Sequence, residues 1–153
     1  MFESAILGHK IDKETFEVEE PKLRAALLEA QDKLREDGTF PVIILISGVD
    51  GSGKGDTINT LYEWMDPRYM STRTFSAPTQ EERQRPSMWR FWRALPKKGR
   101  IGIAAGSWYS WPVADRIAGD LSRSDFDQRM DELNRFEEML VNEGALVLKF
   151  WIH

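Results

Sequence analysis

The sequence contains no cysteine, and histidine occurs only twice, as His9 and His153. Without cysteine the chain can form neither a disulfide bond nor a thiolate metal site. Two histidines at opposite ends of the sequence also argue against a histidine-based metal centre. Proteins without disulfides are typical of the reducing cytoplasm, which is the location that we predict.

Long apolar runs are missing as well. No segment approaches the roughly 20 apolar residues of a membrane-spanning helix, so we predict no membrane partner. The opening residues, MFESAILGHKID, contain Glu3 and Asp12 and lack the apolar core of a signal peptide. With 153 residues, of which 41% are hydrophobic and 30% are charged, the chain has the composition of one globular domain.

Acidic residues are missing from one stretch of the chain. Between Arg83 and Ala114 there is none, although the net charge of the chain is −4. The basic stretch, residues 83–100, instead interleaves aromatic residues with Arg83, Arg85, Arg90, Arg93, Lys97, Lys98 and Arg100. The net negative charge argues against nucleic acid as the partner. The local positive charge nevertheless favours polyanions: a nucleotide, a polyphosphate chain or a single strand stacked on the aromatic residues. We expect Trp89 and Trp92 themselves to be core residues, since large aromatic side chains at helical spacing are mostly buried.

The strongest motif is PVIILISGVDGSGKGDTI, residues 41–58. Residues 42–46 form an unbroken apolar run, as expected for a strand that is buried on both faces of a parallel sheet. Gly48, Gly53 and Lys54 then follow at the spacing of a Walker A phosphate loop. Position 55 departs from that pattern, which has Ser or Thr to hold magnesium, because this chain has Gly55. The motif predicts a P-loop, and a glycine-rich turn without a ligand is the alternative.

The P-loop prediction assigns roles to individual residues. Backbone N–H groups at the start of a helix bind anions, and Lys54 would add a point charge on the phosphates. Asp50, inside the loop, could reach a metal ion. The predicted catalytic residues are Asp50 and Lys54, and Asp50 is the predicted weak magnesium ligand. The predicted phosphate-binding residues are Gly51, Ser52, Gly53, Gly55, Arg90 and Arg93.

Strands and helices alternate along the rest of the chain. Apolar runs predict strands at 40–47, 69–76, 101–105 and 145–152, and helical spacing predicts a first helix from Pro21 to Gly38. We expect Thr79 and Glu82 to form a capping box and Ser124 to cap the last helix. This order predicts an α/β domain, residues 21–153, with an N-terminal arm at 1–20 and a parallel sheet. The runs 42–46, 101–105 and 145–148 should be neighbours in that sheet, with the ligand at their carboxyl ends.

Several separate blocks together resemble the polyphosphate kinase 2 family. They are GVDGSGKGDTI, FSAPTQEE, WRFWRALPKKGRIGI, SWYS and NRFEEMLVNEGALVLKFWIH. The opening MFESAILGHKID is similar to the start of the two-domain members, the polyphosphate:AMP phosphotransferases. The resemblance implies a P-loop kinase-like, thymidylate kinase-like three-layer sandwich with a central parallel sheet. It also implies phosphoryl transfer from polyphosphate to AMP with Mg²⁺.

The chain matches one family motif and departs from another. The family's P-loop reads G-x-D-x-x-G-K-G, so Gly55 is a family trait. The family's second motif resembles F-D-R-S-W-Y-N-R, and this chain has Ala105 in place of the metal-holding Asp. Gly106 and Trp111 stand where the motif has its two arginines. After His153 the family would continue into a lid rich in Lys and Arg. The resemblance therefore implies the N-terminal half of a two-domain protein, without its catalytic groups, beside a C-terminal catalytic domain of the same protein.

Three functional hypotheses remain at this point. The first is a structural or phosphate-binding half of a polyphosphate:AMP phosphotransferase, and homo-oligomers are left open. The second is a self-sufficient P-loop nucleotide kinase that uses another carboxylate, such as Asp115, in place of Ala105. The third is a P-loop-shaped module that binds a polyanion, a nucleic acid or another partner through the basic stretch.

Overall fold

A computed structural model of the chain describes residues 10–153. Its helices are α1 (Lys13–Asp37), α2 (Lys54–Trp64), α3 (Gln80–Arg83), α4 (Trp89–Trp92), α5 (Ser110–Ala118) and α6 (Arg123–Asn142). Its strands are β1 (Val42–Gly48), β2 (Met70–Thr74), β3 (Ile101–Ala105) and β4 (Leu146–Ile152). Within the described range, no helix is both long enough and apolar enough to cross a membrane.

The four strands form one parallel sheet in the order β2-β3-β1-β4. Val42 of the central strand β1 lies opposite Ile101 of β3 and Leu146 of β4. The prediction that the three apolar runs are parallel neighbours is confirmed. All four strands end at the same edge of the sheet, so the loops that follow β1, β2 and β3 meet there.

Helices cover both faces of the sheet and create two cores. Ile43 and Leu45 of β1 pack with Phe91, Phe136 and other buried residues of α4 and α6. Their neighbours along the strand point the other way, and pack against α1 and α2 in a cluster formed by Val42, Ile44, Ile46, Leu34 and Met65. Full burial of such a side chain contributes about 1.5–3 kcal/mol. This three-layer α/β arrangement confirms the predicted fold class.

The predicted start of the first helix at Pro21 is wrong, because α1 begins at Lys13. The Asp12 side chain accepts a hydrogen bond from the backbone N–H of Thr15 at 2.8 Å, which caps the helix eight residues earlier. Pro21 therefore lies inside the helix, where it lacks one backbone donor but does not end the helix. Residues 13–20 of the predicted arm are helical, and residues 1–9 lie outside the described range.

Two other caps test the sequence-based boundaries. Thr79 and Glu82 form the predicted capping box, with each side chain accepting from the backbone N–H of the other residue, at 3.2 and 2.8 Å. The predicted cap of the last helix, Ser124, is wrong by two residues. Ser122 caps α6, since its Oγ accepts from the backbone N–H of Asp125 and donates to that carboxylate. Both serines are acceptable caps, and the downstream Asp125 selects the first.

Candidate phosphate-binding site

The loop between β1 and α2 has the geometry of an anion-binding turn. Gly48, Gly51 and Gly53 have φ angles of 148°, 79° and 89°, in the region that favours glycine. A Cβ atom on Gly48 would lie 1.9 Å from the carbonyl oxygen of Ile152, so β4 leaves no room for a side chain there. At Gly51, Gly53 and Gly55 a Cβ atom would meet nothing within 4 Å. The tip of the loop thus borders open space at the N-terminus of a three-turn helix.

Lys54 folds back over the loop that it follows. Its ammonium donates to the carbonyl oxygens of Gly48 and Val49, at 2.9 and 2.5 Å. The same nitrogen lies 3.8 Å from a carboxylate oxygen of Asp50, whose side chain is fully exposed. Lys54 and Asp50 are therefore brought together at the loop, as the sequence predicts. If a phosphate bound at this loop, the ammonium of Lys54 would donate to its charged oxygens instead of to these two carbonyl groups.

Ser52 contributes a second polar group to the loop. Its backbone N–H donates to the carbonyl oxygen of Val49 at 3.3 Å, which closes a tight turn. Its hydroxyl group is buried and has no hydrogen-bond partner in the described structure. An unsatisfied buried hydroxyl costs about 1–3 kcal/mol, which a new acceptor would recover.

The end of β3 lies beside the start of the P-loop. Ala105 is in register with Ile46 of β1, and the backbone N–H of Gly106 donates to the carbonyl oxygen of Ile46 at 3.0 Å. Ser107 is buried, and its Oγ accepts a hydrogen bond from Ser47 Oγ at 2.7 Å. The strand end next to the loop therefore presents a methyl group at Ala105 and no side chain at Gly106, with no carboxylate from either residue.

Trp108 and Tyr109 are held by a polar cluster that the sequence analysis missed. Trp108 is a buried core residue whose indole N–H donates to Glu137 Oε1 at 3.0 Å. The ammonium of Lys149 pairs with the other oxygen of Glu137 and donates to the hydroxyl of Tyr109 at 3.3 Å. Burial raises the pKa of Tyr109 above 10.0. Burial lowers the pKa of Lys149, but Glu137 and Tyr109 raise it by more, so the net pKa lies above its usual 10.5. The sequence does contain one sign of this cluster, because Lys149 is the single charged residue of the otherwise apolar strand β4.

Arg90 and Arg93 line a cavity of about 220 Å³ at the end of β2. The side chain of Arg90 is 10% exposed, and its Nη2 donates to the carbonyl oxygen of Ser76 at 2.9 Å. Its Nε and Nη1 are buried without a hydrogen-bond partner, although Nε lies 3.5 Å from a Glu82 oxygen. Arg93 lies over the ring of Trp89 at 4.7 Å. The structure brings these two predicted arginines together, but no P-loop residue is among those that line the cavity.

Trp111 lies in the same region as Arg90. Its indole N–H donates to the carbonyl oxygen of Ser76 at 2.7 Å, so this carbonyl accepts hydrogen bonds from both Trp111 and Arg90. Both side chains also line a larger cavity of about 430 Å³ between α3–α4 and α5–α6. Asp115, the alternative carboxylate, lies on the wall of this cavity with Arg83, Arg85 and Arg129. No residue of the P-loop lines it.

The basic stretch does not form one surface. Lys97 and Arg100 precede β3 and line a different cavity, with Tyr69, at the amino end of the strands. Arg100 donates to the carbonyl oxygen of Arg68 and lies over the Tyr69 ring at 4.6 Å. The tryptophans also differ from the expected core positions: Trp89 is half-buried, whereas Trp92 is 45% exposed while packing edge-on against Phe136.

A glycine-rich loop between a central parallel strand and a helix, in a three-layer α/β sandwich, defines a P-loop kinase-like domain. The polyphosphate kinase 2 family model matches residues 10–153, and the chain belongs to that family. It is 53% identical to a polyphosphate:AMP phosphotransferase of Pseudomonas aeruginosa over all 153 residues, and 28% identical over 131 residues to an AMP/ADP-polyphosphate phosphotransferase of Meiothermus ruber.

Solved structures give the same result. A Pseudomonas aeruginosa structure assigned to polyphosphate kinase 2 matches all of the chain with a TM-score of 0.95 and 53% identity. Polyphosphate kinase 2 from Arthrobacter aurescens matches 96% of the chain with a TM-score of 0.89 and 25% identity. The chain spans 31% of the length of the first relative, 49% of the Meiothermus ruber protein, and 33% and 53% of the two solved chains.

Proposed function

We propose that this chain binds polyphosphate at its P-loop and serves polyphosphate-dependent phosphoryl transfer to AMP as a phosphate-binding half that lacks catalytic groups. One observation carries the proposal. The P-loop keeps its glycine geometry and Lys54, while the adjoining end of β3 offers Ala105 and Gly106. Phosphate binding and catalysis are therefore separable in this chain.

The loop supplies the groups that phosphate binding needs. Phosphoryl transfer depends mainly on positioning and on neutralising charge. The N–H groups of residues 51–55 and the ammonium of Lys54 would donate to phosphate oxygens. Hydrogen bonds between ionised partners are about twice as strong as neutral ones. Lys54 would thus gain by leaving the carbonyl groups of Gly48 and Val49 for a phosphate.

Magnesium fits this donor set only in part. In residues 10–153 no group of three or more His, Asp and Glu side chains could hold a metal ion. Mg²⁺ often uses one or two carboxylates together with substrate phosphates. Asp50 would be the one loop carboxylate for a Mg²⁺ ion that arrives with polyphosphate, where the ion neutralises phosphate charge. We accordingly expect weak, phosphate-dependent metal binding.

The remaining partners follow from the family and from the length of its members. A C-terminal catalytic domain of the same protein would supply the metal-holding carboxylate and the arginines that are absent at Ala105, Gly106 and Trp111. AMP would be the acceptor there. A cytoplasmic location and a homo-oligomer also stay proposals, which cell fractionation and ultracentrifugation of the whole protein would test.

One observation favours a second candidate. Asp115 and the buried Arg90 face one cavity of about 430 Å³, which has room for a nucleotide-sized ligand. A self-sufficient nucleotide kinase would use that carboxylate. Because no P-loop residue lines this cavity, the nucleotide-kinase function is the weaker proposal. The division of the basic stretch between the two ends of the sheet likewise weakens the polyanion-module hypothesis.

Calorimetric titration with polyphosphate at low salt tests the proposal. Lys54→Ala should weaken binding by about tenfold or more, since one charge-assisted contact contributes about 1.5–3 kcal/mol. Lys97→Ala is the matched control, because it removes the same charge from the opposite end of the sheet. Binding that is weakened by Lys97→Ala and unchanged by Lys54→Ala would assign the anion to the basic stretch and overturn the proposal.

A further inference from the structure

The small cavity at the end of β2 collects positive charge. Its volume is about 220 Å³, and the charged residues that line it are Arg73, Arg90, Arg93 and Glu82. Arg73 belongs to the border strand β2, whereas Arg90 and Arg93 belong to α4 and to the residue that follows this helix. Three guanidinium groups and one carboxylate therefore meet in one cavity of a chain whose net charge is −4.

Arg90 is the buried member of this set. Its guanidinium lies over the rings of Phe75 and Phe91, at 5.3 and 5.7 Å from the ring centres, and these contacts orient it without using its N–H donors. In the described structure Nη2 alone donates a hydrogen bond, whereas Nε and Nη1 are buried without an acceptor. Because a buried charged donor without an acceptor is unfavourable, this guanidinium favours an anion that would accept from it.

Glu82 neutralises only part of the charge. One of its carboxylate oxygens lies 3.5 Å from Nε of Arg90, and the other accepts from the backbone N–H of Thr79 in the capping box. Within residues 10–153, the side chains of Arg73 and Arg93 form no ion pair with any carboxylate. Arg93 contacts the Trp89 ring, which again leaves its N–H donors available. Two guanidinium groups therefore remain without a negative partner.

We propose that this cavity binds a small phosphoryl group, either inorganic phosphate or the phosphate of a small monoester. Guanidinium groups form paired, charge-assisted hydrogen bonds with phosphate oxygens, and three of them suit a dianion with several acceptor oxygens. The volume of about 220 Å³ is below the roughly 300–1,000 Å³ of pockets that enclose larger ligands, which favours a small anion over a nucleotide.

The proposed site is distinct from the P-loop. No residue of the P-loop lines this cavity, and β3 lies between β2 and the strand that precedes the P-loop. At about 4.8 Å per strand, the ends of β2 and β1 are roughly 10 Å apart. The proposal therefore goes beyond polyphosphate binding at the P-loop and does not depend on it.

Titration of the 153-residue chain with inorganic phosphate, followed by NMR of the individual backbone amides, tests the proposal. Sodium chloride keeps the ionic strength constant, so that screening of surface charge does not change during the titration. The amides of residues 73–75 and 89–94 should shift and reach saturation. Lys54→Ala should leave the dissociation constant at these amides unchanged, because Lys54 belongs to the other site. The amides of residues 51–55 report on the P-loop in the same spectra, so failure of either proposal can be recognised separately.

Three arginine variants locate the anion. Arg73→Gln and Arg93→Gln should each weaken binding at the cavity amides by about tenfold, since each removes a charge-assisted contact. Both side chains belong to exposed residues, so these variants should fold, and the buried Arg90 is left in place. Arg24→Gln is the matched control, because it removes the same charge from an exposed residue of α1. It should leave binding unchanged.

Three results would overturn the proposal. They are the absence of saturable shifts at the cavity amides, the loss of these shifts in Lys54→Ala, and equal weakening by Arg24→Gln and the two cavity variants. A parallel titration with glycerol phosphate distinguishes the two sources of the phosphoryl group. Tighter binding of glycerol phosphate would assign the site to a small monoester, and tighter binding of inorganic phosphate would assign it to the free ion.

Discussion

The hydroxyl of Ser47 donates a 2.7 Å hydrogen bond to the hydroxyl of Ser107 across the carboxyl edge of the sheet. Ser47 is the penultimate residue of β1, directly before the P-loop, and Ser107 lies just after β3. Ser107 also accepts from the backbone N–H of Tyr109 at 3.3 Å. This one contact thus fixes the P-loop relative to the loop that carries Trp108 and Tyr109.

Removal of this contact should be measurable as a loss of stability. We expect Ser107→Ala to lower the free energy of unfolding by about 1–2 kcal/mol, because it leaves the Ser47 hydroxyl without its acceptor. Urea denaturation provides the measurement, with the exposed Ser110→Ala as control. The double variant of Ser47 and Ser107 should lose little more than either single variant. Strictly additive losses would show that the two hydroxyls do not interact.

Two glycines of the P-loop should respond in opposite ways to alanine. Gly48→Ala would place a Cβ atom 1.9 Å from the Ile152 carbonyl oxygen at a positive φ, so it should destabilise the fold by more than about 3 kcal/mol. Gly55→Ala adds a Cβ atom in open space within the first turn of α2. There alanine should be neutral or stabilise the chain by up to about 1 kcal/mol. Thermal unfolding of both variants gives the comparison, and a stable Gly48→Ala variant would contradict the contact with β4.

Folding stability should fall in the alkaline range because of Lys149 and Tyr109. Both pKa values are raised in the folded state, so the folded chain holds these two protons more tightly than the unfolded chain does. The stabilisation is complete below the unfolded values of 10.0 and 10.5, and it is lost as the pH rises through the folded values. Urea midpoints between about pH 8 and about pH 11 would record the loss.

Glu137→Gln isolates the contribution of the cluster to this pH dependence. Glutamine keeps an acceptor for the Trp108 indole but removes the charge that raises the pKa of Lys149. The alkaline loss should therefore become smaller in Glu137→Gln and stay unchanged in the control Glu138→Gln, one residue further along α6. If the urea midpoints of the wild type and of Glu137→Gln fall in parallel with rising pH, Glu137 does not cause the alkaline loss of stability.

The isolated chain should be a poor or inactive kinase. Ala105 offers no ligand for Mg²⁺, and a misplaced Mg²⁺ ion loses several kcal/mol of charge stabilisation in the transition state. Since about 1.4 kcal/mol corresponds to a tenfold change in rate, the rate should fall by about a hundredfold to ten-thousandfold. The assay is formation of ADP or ATP from polyphosphate with AMP or ADP and Mg²⁺. Turnover in the ordinary kinase range of roughly 1–100 per second would contradict the proposed loss of catalytic groups.

Introducing two of the groups that the family resemblance implies at the end of β3 should not by itself produce kinase activity. Ala105→Asp with Gly106→Arg adds a carboxylate and one guanidinium at the end of β3. Trp111, whose indole N–H donates to the Ser76 carbonyl, would still occupy the position at which the resemblance implies a second arginine. The same assay measures this variant, and the polyphosphate titration shows whether the variant still binds phosphate. Recovery to the ordinary kinase range would show that Trp111 does not limit the site.

The pattern of apolar residues in the sequence predicted the sheet, but contacts between residues that are distant in the sequence could not be predicted from it. The apolar runs of β1, β3 and β4 identify strands because both faces of a parallel sheet exclude water. The start of α1 depended on one side-chain hydrogen bond of Asp12, which propensity does not reveal. The basic stretch is continuous in sequence, but Pro96 and the turn at Gly99 direct its second part to the other end of the sheet. The pairing of Lys149 with Glu137 requires knowledge of how α6 packs on β4.

The contact between Gly48 and Ile152 has a consequence for the order of folding. The N–H of Val49 donates to the Ile152 carbonyl at 3.2 Å, so the start of the P-loop is hydrogen-bonded to a strand about a hundred residues further along the chain. Contacts of such long sequence separation form late, since the loop they close must first lose its entropy. The anion-binding loop would therefore acquire its shape only after β4 has joined the sheet. A bound phosphate chain would in turn stabilise the assembled sheet by mass action. Affinity for polyphosphate then serves as a measure of how completely the chain has folded.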